Sequence, residues 1–299
     1  MRPLSAFSRA ARRRVTRVLA DLDDTLTTEG KITTEALAAI ERLAAAGIDV
    51  VPVTGRPAGW CDHIARMWPV AAVIGENGAF YFRHDRGRRK LARRFFLDEA
   101  TRAANRRRLE TLGREILAAV PGTALASDQA FRDADLAVDY REDVAPLPRP
   151  SVDRIVALMT AAGARAKVSS IHVNGWFGDY DKLAMTRTLF RELFAAELDA
   201  VKDTVVFVGD SPNDEPMFRF FPLAVGVANV RDFADQLKAW PAFVTRARAG
   251  LGFAEVAAAL LAAKEGRSGA VLRPPKRASR RRVSRPPRKP RSASRGRAR

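Results

Sequence analysis

Short apolar runs alternate with helix-spaced segments along this chain, and that rhythm restricts its fold more than any other feature. Val15–Ala20, Ile48–Val53, Val70–Ile74, Thr204–Val208 and Leu223–Val227 read as strands. Between them, Thr34–Ala46 carries Leu37, Ile40 and Leu43 at helical spacing, with Gly47 where a terminating glycine belongs. Ala58–Met67, Asp181–Ala196 and Glu215–Phe220 are further helices, and a last one lies near Gly252–Lys264. Strand–helix alternation of this kind predicts βαβ units around a doubly wound, mostly parallel, Rossmann-like sheet.

The rhythm is interrupted once. Asn77-Gly78 signals a hairpin-type turn before Phe80-Tyr81-Phe82, and a very basic stretch, Arg83–Arg94, follows. Asp98–Val120 is a long helical segment closed by Pro121-Gly122. Leu136–Tyr140 is a strand, Ser151–Ala162 a helix started by Ser151, and Lys167–Phe177 one or two strands. The expected organisation is a basic N-terminal extension over 1–14, a Rossmann-like core over 15–79 and 179–265, and an inserted α/β cap over 80–178. Residues 266–299, rich in Arg, Ser and Pro and poor in large apolar side chains, are expected to be disordered.

The net charge of +18 looks like that of a nucleic-acid binder until it is located. Residues 266–299 hold fourteen Lys/Arg and no acid, and residues 1–15 hold five Arg and no acid. The remainder has 33 basic against 34 acidic residues, so the folded body is close to neutral. The tail has no aromatic residue for base stacking, which leaves at most weak, nonspecific polyanion binding. A lone cysteine, Cys61, excludes an intramolecular disulfide framework. No run reaches the roughly 18 apolar residues of a membrane span. Arg12-Arg13-Arg14 hints at an export signal, but the short apolar stretch after it runs straight into an acidic cluster, so a cytoplasmic location is expected.

That cluster, Asp21-Leu22-Asp23-Asp24-Thr25-Leu26, follows the first strand and carries the chemistry. One carboxylate there could attack phosphorus while the other shuttles the leaving-group proton, and a metal would relieve their repulsion with a phosphate dianion. Thr54-Gly55-Arg56, after the second strand, offers a hydroxyl and a glycine turn for phosphate. Lys182 opens a helix, and Gly209-Asp210-Ser211-Pro212-Asn213-Asp214 places acids at another strand end. Three of these groups follow strands, so they can converge on one sheet edge.

In this order the motifs resemble those of the haloacid dehalogenase superfamily. Asp21–Thr25 matches its first motif, Thr54 its second, Lys182 its third and Gly209–Asp214 its fourth. Asp24 stands where the family usually has glycine. The long separation of Thr54 from Lys182, with Gly75-Glu76-Asn77-Gly78-Ala79 at its entrance, resembles the Cof-type (type IIB) subgroup, which includes phosphatases for sucrose- and trehalose-phosphate and a phosphomannomutase.

The resemblance implies an Mg²⁺-dependent phosphatase for a small phosphomonoester such as a sugar phosphate. Asp21 would be the nucleophile, Asp23 the proton shuttle, and Thr54 and Lys182 the phosphoryl clamp, with Gly55 and Asn213 also on the substrate. Mg²⁺ would be held by Asp21, Asp210 and the backbone carbonyl of Asp23, supported by Asp214. A phosphomutase of the same fold, or a polyanion-binding protein acting through the tail, are the alternatives. In the cap, Arg83–Arg94 could attract an anionic substrate, and His172, Asn174, Trp176 and Phe177 could contact a sugar or simply pack. Oligomeric state is left open by the sequence.

Overall fold

The computed structural model describes residues 1–169 and 171–265; the basic tail expected to be disordered lies outside the described residues. Its central sheet has six strands in the order Arg2–Pro3, Phe243–Val244, Val225–Gly226, Val205–Gly209, Arg17–Ala20 and Asp49–Pro52, and every pairing is parallel. Alternating side chains of these strands divide into two cores. Val18, Ala20, Val50 and Val206 pack beside Ile40 of helix Thr34–Ala45 and Leu260 of helix Ala249–Glu265. Leu19, Val51 and Phe207 point the other way, toward Met185 and Leu189 of helix Lys182–Phe194 and Phe218 of helix Glu215–Phe220. A sheet buried on both faces is what the unbroken apolar strands demand.

Successive strands leave Arg17–Ala20 in opposite directions: Asp49–Pro52 lies on one side and Val205–Gly209 on the other. The crevice that opens at such a reversal lies beyond the carboxyl ends of the strands. Residues 21, 53 and 210 follow those ends directly.

Two expectations fail here. The first fourteen residues are not an extension: Arg2–Pro3 forms the sheet edge, and Leu4 and Phe7 are buried. Phe7 stacks on Phe243 with ring centroids 4.7 Å apart, so two apolar anchors outweigh the surrounding arginines. The basic stretch 83–94 does not begin a separate cap either. It forms most of a hairpin, Phe80–Asp85 with Lys90–Phe95, that pairs with Val73–Gly75. A parallel bridge from Val53 to Ile74 ties this three-stranded sheet to the central one, and Phe80 and Phe82 enter the same core as Val18.

The second sheet, antiparallel throughout, orders Arg165–Val168, His172–Trp176, Leu136–Asp139 and Ala124–Leu125. Helices Glu99–Ala119 and Arg149–Ala161 supply its core through Leu112, Ile116, Ile155 and Met159. Ser151 does not start the latter helix; Pro148 is its N-cap and Pro150 lies in its first turn, where a missing N–H costs nothing. Among the described residues no helix is long and apolar enough to cross a membrane.

Candidate active site

Asp21 leaves the first strand with its N–H still bonded to Val208 O at 2.9 Å, so the ladder itself aims the carboxylate over the sheet edge. Asp210 follows the neighbouring strand. Lys182 is the first residue of its helix, fixed by Asp181, whose side chain caps Ala184 N at 2.8 Å. The Lys182 ammonium donates to Asp21 Oδ1 and to Asp214 Oδ1, both at 2.8 Å. Asp214 uses its other oxygen to accept from Asp210 N at 3.1 Å, and Thr25 donates to Asp210 Oδ1 at 3.0 Å. A Cβ on Gly209 would stand 2.3 Å from Asp214 Oδ2, so only glycine admits this approach.

Asp21, Asp210 and Asp214 are buried, and each can bring a carboxylate oxygen within 4.8 Å of the others. Three acids thus cluster, and one ammonium bonds two of them. Burial pushes Asp21 up to about 7, with Lys182 opposing and Asp214 reinforcing the rise. Burial, then Asp21 and Asp214, drives Asp210 well above the usual carboxylate range. Burial works against the Lys182 charge too, but Asp21 and Asp214 overcome it and raise its pKa. Excess negative charge on hard oxygen donors is the chemistry that suits Mg²⁺.

Asp23 points to a different partner. Arg56 Nε donates to both of its carboxylate oxygens at 3.0 Å. The same guanidinium reaches Glu142 Oε1 at 2.9 Å and Asp128 Oδ2 at 3.5 Å, both on the inserted segment. His172 Nε2 lies 2.9 Å from Glu142 Oε2. The His172 contact, and the Arg56 charge against the opposing effect of burial, hold Glu142 down at about 2. Arg56, Glu142 and Asp128 received no role from sequence reasoning; an arginine directly after the Thr54-Gly55 turn was the available signal.

The remaining expected positions separate into those that border the cleft and those that do not. Thr54 is buried after the second strand, its hydroxyl accepting from Arg56 N at 3.0 Å. Gly55, Asn213, His172 and Asn174 line the cleft, which encloses only about 20 Å³, room for about one water. Asn174 donates to Asp135 Oδ2 at 3.0 Å, and His172 is buried rather than a surface residue. Trp176 is no sugar platform: it is buried, donates to Tyr180 O at 3.2 Å and stacks on that ring. Phe177 belongs to the second sheet's core. None of Arg83–Arg94 lines the cleft; Arg93 and Arg94 pair with Asp62 and Glu192 instead. Asp24 adopts φ 55°, the left-handed backbone that a glycine would take freely.

The family model described as haloacid dehalogenase-like hydrolase matches residues 18–103. No curated protein matches the chain. Among solved structures it is similar to protein 0175 of Thermoplasma acidophilum, with a TM-score of 0.63 at 20% identity over 83% of this chain and 98% of that one. A HAD/COF-like hydrolase of Plasmodium vivax gives 0.60 at 16% identity, covering 84% and 96%. The sucrose-phosphatase of Synechocystis sp. PCC6803, solved with sucrose and phosphate, gives 0.58 at 16% identity, covering 83% and 98%. The family match takes in Asp21–Thr25 and Thr54, and the chain shares the fold of these solved structures.

Proposed function

We propose that the protein is an Mg²⁺-dependent phosphatase that hydrolyses a small phosphomonoester, a sugar phosphate being the best-supported class. The observation that carries this reading is the cluster of the Asp21, Asp210 and Asp214 carboxylates at the carboxyl edge of the sheet, with Asp21 and Asp214 bonded to the Lys182 ammonium. The similarity to a sucrose-phosphatase supports the substrate class.

In this reading an Asp21 oxygen attacks phosphorus, the ester P–O bond breaks, and Asp23 gives its proton to the departing alcohol. Asp23 then takes a proton from water as that water attacks the aspartyl-phosphate, which releases inorganic phosphate and restores Asp21. Lys182 and Thr54 hold the phosphoryl oxygens, with Gly55 and Asn213 beside them. Asp21, Asp210 and the Asp23 carbonyl would hold Mg²⁺, with Asp214 behind them, and the bound ion would offset the charge of phosphate and carboxylates. Arg56 fixes the orientation of Asp23 and links it to Glu142.

We read the segment carrying the second sheet as the cap, starting after the hairpin that ends at Phe95. Its closed position leaves no room for a sugar, so substrate entry requires it to lift. The test is phosphate release from a panel of phosphorylated metabolites and from p-nitrophenyl phosphate. Turnover with Mg²⁺, abolished by EDTA and highest on sugar phosphates, is expected. No release from any ester in the presence of Mg²⁺ would contradict the reading.

A further inference from the structure

The turn Glu76–Gly78 is an unusual piece of backbone. Glu76, Asn77 and Gly78 have φ of 43°, 54° and 105°, three consecutive residues in the region that side chains avoid. Strain of this kind persists only where neighbours impose it, and three anchors do so. Glu76 N donates to Arg56 O at 3.1 Å and Asn77 N to Thr54 O at 3.0 Å, which fastens the turn to the Thr54–Arg56 segment. On its other side Gly78 lies against the start of the Lys182 helix, where a Cβ would stand 2.1 Å from Asp181 O.

Glu76 adds a fourth restraint. Its buried carboxylate accepts from Ala58 N at 2.9 Å and from three successive amides, Asp133, Ala134 and Asp135, at 2.6–3.1 Å. The turn is therefore wedged between the two elements that bear Thr54 and Lys182, and it cannot relax without breaking these bonds.

What the wedge holds in place is the Asn77 amide. Asn77 is 5% exposed, borders the cleft beside Asp21, Asp23 and Gly55, and its Nδ2 has no hydrogen-bond partner among the described residues. That nitrogen lies 3.1 Å from the point a Cβ on Gly55 would occupy, directly over the glycine turn. A buried, unsatisfied donor costs free energy, and a strained backbone that keeps it so costs more. A ligand oxygen arriving beside Gly55 would repay both.

We propose that Asn77 is a further substrate-binding residue, whose Nδ2 donates to an oxygen of the phosphoryl group seated between Thr54 and Lys182. This rests on the phosphatase reading, and the test separates the two. Inorganic phosphate is titrated calorimetrically into the full-length protein with Mg²⁺ present. Asn77→Gly removes the amide while tolerating positive φ; Asn77→Asp keeps the shape but places a carboxylate opposite phosphate. Loss of a hydrogen bond to a charged group predicts about tenfold or greater weakening in Asn77→Gly, and more in Asn77→Asp, with little change in melting temperature. In turnover, Asn77→Gly should lower kcat/KM by a similar factor on esters with good and poor leaving groups alike.

Phosphate binding equal to wild type in both variants overturns the assignment while leaving the phosphatase reading intact. A loss of turnover confined to one class of leaving alcohol, with phosphate affinity unchanged, moves the contact off the phosphoryl group and also overturns it. Wild-type protein that binds phosphate yet hydrolyses no ester overturns the phosphatase reading alone. Should Asn77→Gly fail to fold, Asn77→Asp carries the comparison.

Discussion

Lys182 is the residue on which the charge balance of the crevice depends. Its ammonium is, among the described residues, the one cation in direct contact with both Asp21 and Asp214, 2.8 Å from each, and all three are buried. Breaking a buried ion pair by removing one partner leaves uncompensated charge, at a cost of about 3–5 kcal/mol. Lys182→Met should therefore lower the melting temperature sharply in EDTA, recover part of it when Mg²⁺ is added, and lose turnover under both conditions. Unchanged stability in EDTA would mean that the carboxylates are balanced some other way. Asp21, Thr54, Lys182 and Asp210 were legible because each adjoins a recognisable strand or helix end and its side chain declares its chemistry. Arg56, Asn77 and Glu142 were not. Arg56 meets Glu142 86 positions away, and Asn77 matters through a backbone strain that no local spacing announces.

Between elements, one contact that joins the inserted segment to the core is the guanidinium of Arg56 against Glu142 and Asp128. Glu142 titrates at about 2, well below its ordinary value of 4.5. A depressed folded-state pKa gives stability that is complete above the ordinary value and disappears as pH falls toward the depressed one. Melting temperatures of wild type and Glu142→Gln should accordingly differ most above pH 4.5 and converge as pH falls toward 2. A difference that stays constant across that window, or none at all, would show that Glu142 does not latch the cap. The elements themselves were read unevenly. Helices Ala58–Met67 and Glu215–Phe220 fall where their periodicity places them, because apolar spacing and burial agree. The hairpin Phe80–Asp85 with Lys90–Phe95 was hidden, since arginines occupy so much of it that its alternation reads as a charge run. Only pairing with Val73–Gly75 shows Phe80 and Phe82 turned into the core.

At the scale of the whole molecule, one chain reversal organises everything: strands leave Arg17–Ala20 in both directions, and the groups after three strands meet in the crevice. That much followed from the order of motifs along the sequence. The sheet edge did not, because a two-residue strand and a buried Phe7 leave no periodic trace in an arginine-rich segment. The proposed phosphatase activity stands or falls on Asp21 as nucleophile at that crevice. Its most direct test compares wild type with Asp21→Asn for phosphate release from p-nitrophenyl phosphate in Mg²⁺, with circular dichroism confirming that both are folded. The variant should lose at least about 10³-fold in rate; a folded Asp21→Asn protein that turns over at the wild-type rate would contradict the mechanism outright.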